Sequence, residues 1–338
     1  MQRIAYRLVA GNLARMKAAE ETLPPPEPGE ITVEVKSIGL NFADIFAIWG
    51  LYGATPQGSF VPGLEYSGLV RQVGPGVTHL REGDKIMGVT RFGAYASHLN
   101  IDARYVLPLP EGWSFGQGAS YLVQVLTAYY ALKELGNLQP EQSVLIHSAA
   151  GGVGIWANRI AKHYRAYTIG TVGRAEKLDF LEQEGYDHGI VRGKDFPAQV
   201  QKALGGRELH LIMECIGGKI LMQGYKMLAP QGRMVVYGSA RYGTVSDRPN
   251  YLRLLYLFFT RPKIDPQKMP ENNKAIMGFN LIWLYHKAEL MHRLLAELEA
   301  MELGKPHVGH VFPFEQLPDA IRLFQSGKTV GKVVVGEP

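Results

Sequence analysis

Val144-Leu145-Ile146-His147-Ser148-Ala149-Ala150-Gly151-Gly152-Val153-Gly154 is the stretch that decides how this chain is read. A short apolar run makes a buried strand. Small residues and three glycines then make a turn, and helical spacing follows. Aligned on G-x-G-x-x-G, the three positions are Ala149, Gly151 and Gly154. Gly151 would let a backbone approach a pyrophosphate, and Gly154 would let the helix pack close to the strand. The helix N-terminus offers unpaired N–H groups and the positive end of its dipole to phosphates. Ala150, Gly151, Gly152, Val153 and Gly154 are therefore expected to bind a dinucleotide.

Outward from that turn the pattern repeats. Strand signals at Tyr167 to Val172, His188 to Val191, Leu209 to Cys215 and Arg233 to Tyr237 alternate with helical ones. The helices are Ala175 to Glu184, Phe196 to Leu204 and Lys219 to Leu228. Such alternation means an α/β, doubly wound parallel sheet with its ligand at the carboxyl ends of the strands. Residues 240–273 break the rhythm with the apolar cluster Leu252 to Phe259 and three prolines. Ala275 to Leu281 reads as one more strand, and Ala288 to Met301 as an amphipathic helix. The first 120 residues hold short strands instead, at Ile31 to Val35, Gly68 to Val73, Ala94 to Leu99 and Tyr105 to Pro108. Lys332 to Val335 adds a last one.

The 338 residues are 46% hydrophobic and 20% charged, with a net charge of +5. Roughly 100–200 residues per domain predicts two cores rather than one. The single cysteine, Cys215, excludes an intramolecular disulfide and any Cys-rich structural zinc site within one chain. It reads as a buried thiol, and His147 as a structural histidine. The cations are dispersed, so no nucleic acid is expected as a partner. Gly112 to Leu132 is uncharged but carries glycines, serines and glutamines, so it reads as a loop and a buried helix rather than a transmembrane segment. A cytoplasmic setting is expected.

The end of the second strand, Thr171-Val172-Gly173-Arg174, lacks the acid that would hold a ribose 2′-OH. Gly173, Arg174 and Lys177 instead suit a 2′-phosphate, where each charge-assisted hydrogen bond contributes about 1.5–3 kcal/mol. The expected cofactor is NADPH, and two solvated surface cations are the alternative.

Further stretches point one way: Asn41-Phe42-Ala43-Asp44-Ile45, Val61 to Val70, Gly83 to Gly88, Leu126 to Leu132 and the closing Gly331 to Val335. With the glycine turn they resemble the medium-chain dehydrogenase/reductase superfamily along nearly the whole chain. Zinc members carry Cys where this chain has Asn41, and Gly-His-Glu where it has Gly63-Leu64-Glu65. The resemblance is therefore to the zinc-free, zeta-crystallin-like quinone oxidoreductases. Residues 240–281 look most like the branch of synaptic vesicle amine transport protein homologues. No metal is expected.

The resemblance implies a Rossmann domain over 125–285, with the 240–273 excursion, inserted in a GroES-like, mainly β catalytic domain over 1–124 and 286–338. It implies Tyr52, Asn41 and Asp44 as catalytic candidates. Tyr52 is a hydrogen-bond donor to a developing oxyanion or an aromatic wall. Asn41 bonds to ribose or substrate, and Asp44 acts directly or caps a helix. Thr127, Gly238, Ser239, Phe279, Asn280 and Lys332 are expected near the cofactor. Quinone reductases often place a Tyr after the third strand; this chain has Val191-Arg192 there, so either Arg192 substitutes as a phosphate ligand or that contact is lost. A homodimer paired through the 275–281 strand is implied. The expected activity is zinc-independent, NADPH-dependent reduction of a small-molecule electron acceptor, a quinone or an α,β-unsaturated carbonyl. Hydride transfer would occur in an interdomain cleft. The alternative is an NADPH-binding protein with little turnover, acting through partner or membrane contacts.

Overall fold

The computed structural model describes residues 1–337; Pro338, the last residue of the expected catalytic domain, lies outside the described residues. Unit 1 opens with β1 (Gln2–Val9), β2 (Lys17–Thr22) and β3 (Glu30–Gly39). Helix α1 (Phe42–Ile48) follows, then β4 (Ser59–Phe60), β5 (Glu65–Val73), β6 (Lys85–Val89), β7 (His98–Asp102), β8 (Val106–Pro108) and the short α2 (Phe115–Gly118). Helix α3 (Leu122–Tyr129) leads into unit 2 and runs on as a π-helical stretch over Tyr130–Leu135. Unit 2 alternates β9 (Ser143–His147), α4 (Gly152–His163), β10 (Tyr167–Val172), α5 (Leu178–Gln183), β11 (His188–Val191), α6 (Phe196–Leu204), β12 (Leu211–Glu214), α7 (Gly218–Met227) and β13 (Arg233–Val236). It adds α8 (Tyr251–Phe259), α9 (Met269–Asn272), β14 (Ala275–Gly278) and α10 (Ala288–Glu299). The chain returns to unit 1 as β15 (Val308–Phe312), α11 (Leu317–Gln325) and β16 (Lys332–Gly336).

Unit 2 is a six-stranded parallel sheet in the order β11-β10-β9-β12-β13-β14. Every residue of β9 is buried, as a strand covered on both faces requires. The chain order turns at β9, so the loops after β9 and β12 splay apart there, where ligands of such sheets bind. Helix α4 presses Ile155, Trp156 and Ile160 inward. Gly154 permits its approach: a Cβ there would stand 2.6 Å from the Cα and carbonyl oxygen of Ala149.

Unit 1 is mainly antiparallel. Its larger sheet runs β15-β16-β3-β5-β6-β8, with β7 also on β3, and β2-β1-β4 form a smaller one. Its core joins Ile38, Ile45, Trp49 and Tyr95 to Leu317, Ile321 and Val333 from the far end of the chain.

Several expectations change. Ala94 to Leu99 is not one strand: pairing in β7 begins at His98, and Ala96 makes only an isolated bridge to Ala5. The Tyr6 and Tyr95 amides bond to Tyr95 and Pro62 carbonyls, so no regular ladder forms there. The 275–281 strand ends at Gly278, because Leu281 starts a 3-10 turn. The 240–273 segment contains a helix, α8, and its residues 245–249 pack with unit 1, where Asp247 meets Arg322 at 2.9 Å. Residues 286–304, expected with the catalytic domain, group with unit 2: Tyr129 donates to Glu297 at 2.5 Å and Arg293 pairs with Glu134. The β1–β2 hairpin lacked a readable alternation because Arg3 and Arg7 sit in β1 to pair with Glu21. Among the described residues no helix is long and apolar enough to cross a membrane.

Gly154→Ala forces α4 away from its strand. It is expected to lower unfolding free energy by about 1–3 kcal/mol, the usual scale of overpacking, in a denaturant titration.

Candidate functional site

In unit 2 the turn after β9 is tight. Ser148 takes φ 54°, and the Gly151 amide donates to the Ser148 carbonyl at 2.9 Å. Gly151 is the N-cap of α4 with extended backbone, so the amides of the first helical turn have no partner four residues back. Ala150 is buried, and Gly152 packs near the Gln124 side chain. Tyr186 donates to the Gly154 carbonyl at 2.8 Å and fixes the turn from below.

Beyond β10 three cations converge. Arg192 anchors on the Thr171 carbonyl at 3.1 Å and its hydroxyl at 2.9 Å, with Nη2 lying against Gly173. Burial first, then the charges of Arg174 and Arg192, hold the Lys177 amine below its ordinary pKa, with Glu176 as partial compensation. Arg174 itself is exposed. Gathering like charges costs energy that a bound anion would return.

Below the cations lies a buried polar chain. His147 Nδ1 is 2.7 Å from Thr171 Oγ1, and its Nε2 is 3.3 Å from Glu214 Oε2. Burial pushes His147 down to about 3, so the imidazole is neutral and the contact is no ion pair; burial also raises Glu214 above the ordinary carboxyl range. Glu214 Oε1 accepts the Ile216 and Gly217 amides at 2.5 and 2.7 Å, which shapes the turn after β12. His147 is structural, as expected. The ordering role of Glu214 carried no signal beyond a strand-end acid.

Past β13, Gly238 and Ser239 line a cavity of about 350 Å³ with Gly217, Gly218, Arg241 and Tyr242. Arg241 lies over the two glycines. Phe279 leans on Tyr130 with ring centroids 4.9 Å apart, and its amide donates to Val236. Asn280 is the N-cap of the following 3-10 turn, and Thr127 is buried on α3.

In unit 1, Asn41, Asp44, Glu65 and Lys332 form one buried cluster. Lys332 Nζ donates to Glu65 Oε2 at 2.7 Å and to Asn41 Oδ1 at 3.1 Å. Asn41 Nδ2 donates to the Gly39 carbonyl at 3.1 Å and Glu65 at 3.4 Å. Asp44 accepts the Asn41 amide at 2.8 Å and the Tyr95 hydroxyl at 3.0 Å. Burial pushes Asp44 up to about 7. Tyr52 is half-buried against the unit 1 core. Lys332, expected near the cofactor, has its amine on Glu65 and Asn41 inside unit 1. Tyr95 was missed because nothing local links it to Asp44, 51 positions away.

Residues 27–111 match the family of alcohol dehydrogenase GroES-like domains, and residues 152–273 the zinc-binding dehydrogenase family. The human synaptic vesicle membrane protein VAT-1 homolog is 34% identical over 316 residues, 92% of this chain and 80% of that protein. The Escherichia coli quinone oxidoreductase complexed with NADPH superposes with a TM-score of 0.85 at 27% identity, over 100% of both chains. The CurK enoyl reductase does so with a TM-score of 0.85 at 26% identity, also over 100% of both.

A catalytic zinc needs three ligands from His, Cys or carboxylate. Glu65 here meets an ammonium and an amide, Leu64 is apolar, and the chain's single cysteine belongs to unit 2. These residues do not fit the metal.

Asp44 makes the protein's stability depend on pH. Its folded value, about 7, lies above the unfolded value of about 3.9. The stability it contributes is complete below about pH 4 and is lost as pH rises through about 7. Asp44→Asn is expected to flatten that slope, read from thermal midpoints between about pH 4 and about pH 8.

Proposed function

Since the chain belongs to the medium-chain dehydrogenase/reductase superfamily, in its zinc-free quinone oxidoreductase-like group beside the VAT-1 homologues, we propose that it is an NADPH-dependent reductase of quinones or α,β-unsaturated carbonyls. The observation that carries this reading is the convergence of Arg174, Lys177 and Arg192 beside Gly173, next to a helix that opens on glycines. A 2′-phosphate is the part of NADPH that NADH lacks, and it suits that cluster. Quinone and enoyl reductases among the structural neighbours support the acceptor class.

Bound NADPH supplies a hydride. The amides of Gly152, Val153 and Gly154 would hold its pyrophosphate. Gly238, Ser239, Phe279, Asn280 and Thr127 are the residues that would hold the nicotinamide end. Tyr52 is the group that donates to the developing oxyanion of the acceptor, because it alone of the three catalytic candidates is not buried. Asn41 and Asp44 work from behind, as parts of the buried cluster. β14 has no partner on its outer edge among the described residues, which supports a homodimer paired through it.

A second reading is favoured by α8. Leu252 and Phe259 are 83% and 71% exposed, and Arg261 and Lys263, just after the helix, are exposed as well. A binding protein with little turnover would use this face for a partner or membrane.

Steady-state oxidation of NADPH and NADH against an ortho-quinone, a para-quinone, an enone and an aldehyde separates the readings. Chelator-insensitive turnover with NADPH is expected, and tight binding without turnover on any acceptor would favour the second. Arg192→Ala is expected to raise KM for NADPH by about tenfold or more, the worth of one charge-assisted hydrogen bond, and to leave that for NADH nearly unchanged. Light scattering is expected to give twice the chain mass.

A further inference from the structure

Lys332 belongs to a strand end, where a lysine ordinarily reaches water. Its side chain is instead buried, 2.7 Å from a carboxylate that has no exposed surface. The backbone makes room for it. Gly39 pairs with Val334 across β3 and β16, and a Cβ on Gly39 would stand 2.8 Å from Lys332 Cε and 1.8 Å from the Ala119 carbonyl oxygen. The lysine stem therefore runs where only glycine leaves space.

The acceptors are complete. Glu65 Oε1 takes the Val123 amide at 2.9 Å, and Oε2 takes Lys332 and Asn41. The Asn41 amide is held at both ends, its oxygen by Lys332 and its nitrogen by Gly39 and Glu65. Asn41 and Leu64-Glu65 are the positions where the zinc-dependent members resembled above carry Cys and His-Glu.

We propose that Lys332 takes the place of the metal cation in this chain: its ammonium neutralises Glu65, pins the Asn41 amide and closes the site to divalent ions. A divalent ion drawn to Glu65 would meet a fixed positive charge at contact distance, and repulsion at such range in a buried setting is strong. Lys332 is thus a positioning residue. This assignment does not rest on the acceptor class or on NADPH.

Stability and zinc uptake together test it. Lys332→Met leaves Glu65 uncompensated, so its thermal midpoint falls or the protein does not fold. Glu65→Gln/Lys332→Met removes both charges and regains most of the loss. Asn41→Cys/Leu64→His/Lys332→Ala takes up zinc on dialysis, and its midpoint rises with zinc and not with magnesium. Asn41→Cys/Leu64→His, with Lys332 kept, binds zinc about tenfold or more weakly, and the same order holds for the visible absorption of bound cobalt. A Lys332→Met protein that unfolds at the wild-type midpoint overturns the proposal. So does a double variant no more stable than Lys332→Met, or zinc affinity that is indifferent to Lys332. If no variant takes up metal, the stability pair decides.

Discussion

A carboxylate with no exposed surface has to be neutralised where it stands, and three stretches far apart in sequence meet at Glu65. β16 brings the ammonium of Lys332, the start of α3 brings the Val123 amide, and the stretch from β3 to α1 brings Asn41 together with Gly39, the glycine that lets the lysine pass. Removing any one leaves a buried charge or an unpaired amide, which is costly in a low dielectric. The closing strand of unit 1 is thereby tied to its centre by a charge as well as by the ladder between Val334 and Gly39.

Unit 2 rests on a different constraint. Its parallel strands are covered on both faces, so the polar groups inside lean mostly on one another. His147, Thr171 and Arg192 are linked along the carboxyl ends of β9 to β11, and Glu214 turns inward to hold the amides after β12. Burial keeps the histidine neutral, so this chain is scaffolding beneath the glycine turn. The cations above it crowd together with only partial compensation from Glu176.

The two halves of the chain were not equally legible. The β9–α4 turn and the strands after it announced themselves, because buried parallel strands are short apolar runs and helices between them repeat every few residues. Gly154 was readable as a close-packing glycine and His147 as buried, whereas Cys215, read as a buried thiol, is only half-buried just after β12. The β1–β2 hairpin was not, since Arg3 and Arg7 interrupt it to reach Glu21. Nor was α8, an apolar run between prolines that reads as well as a loop.

What the amino-acid order determined by itself is local: element type, the glycine turn and the missing acid after β10. These depend on neighbours a few residues apart, so spacing reveals them. Only the tertiary structure decided that Lys332 turns inward to Glu65 across 267 positions, that Tyr95 caps Asp44, and that Arg192 joins Arg174 and Lys177. Such pairings follow from which strands lie side by side. Charge and burial at one point of space leave no periodic mark along the chain.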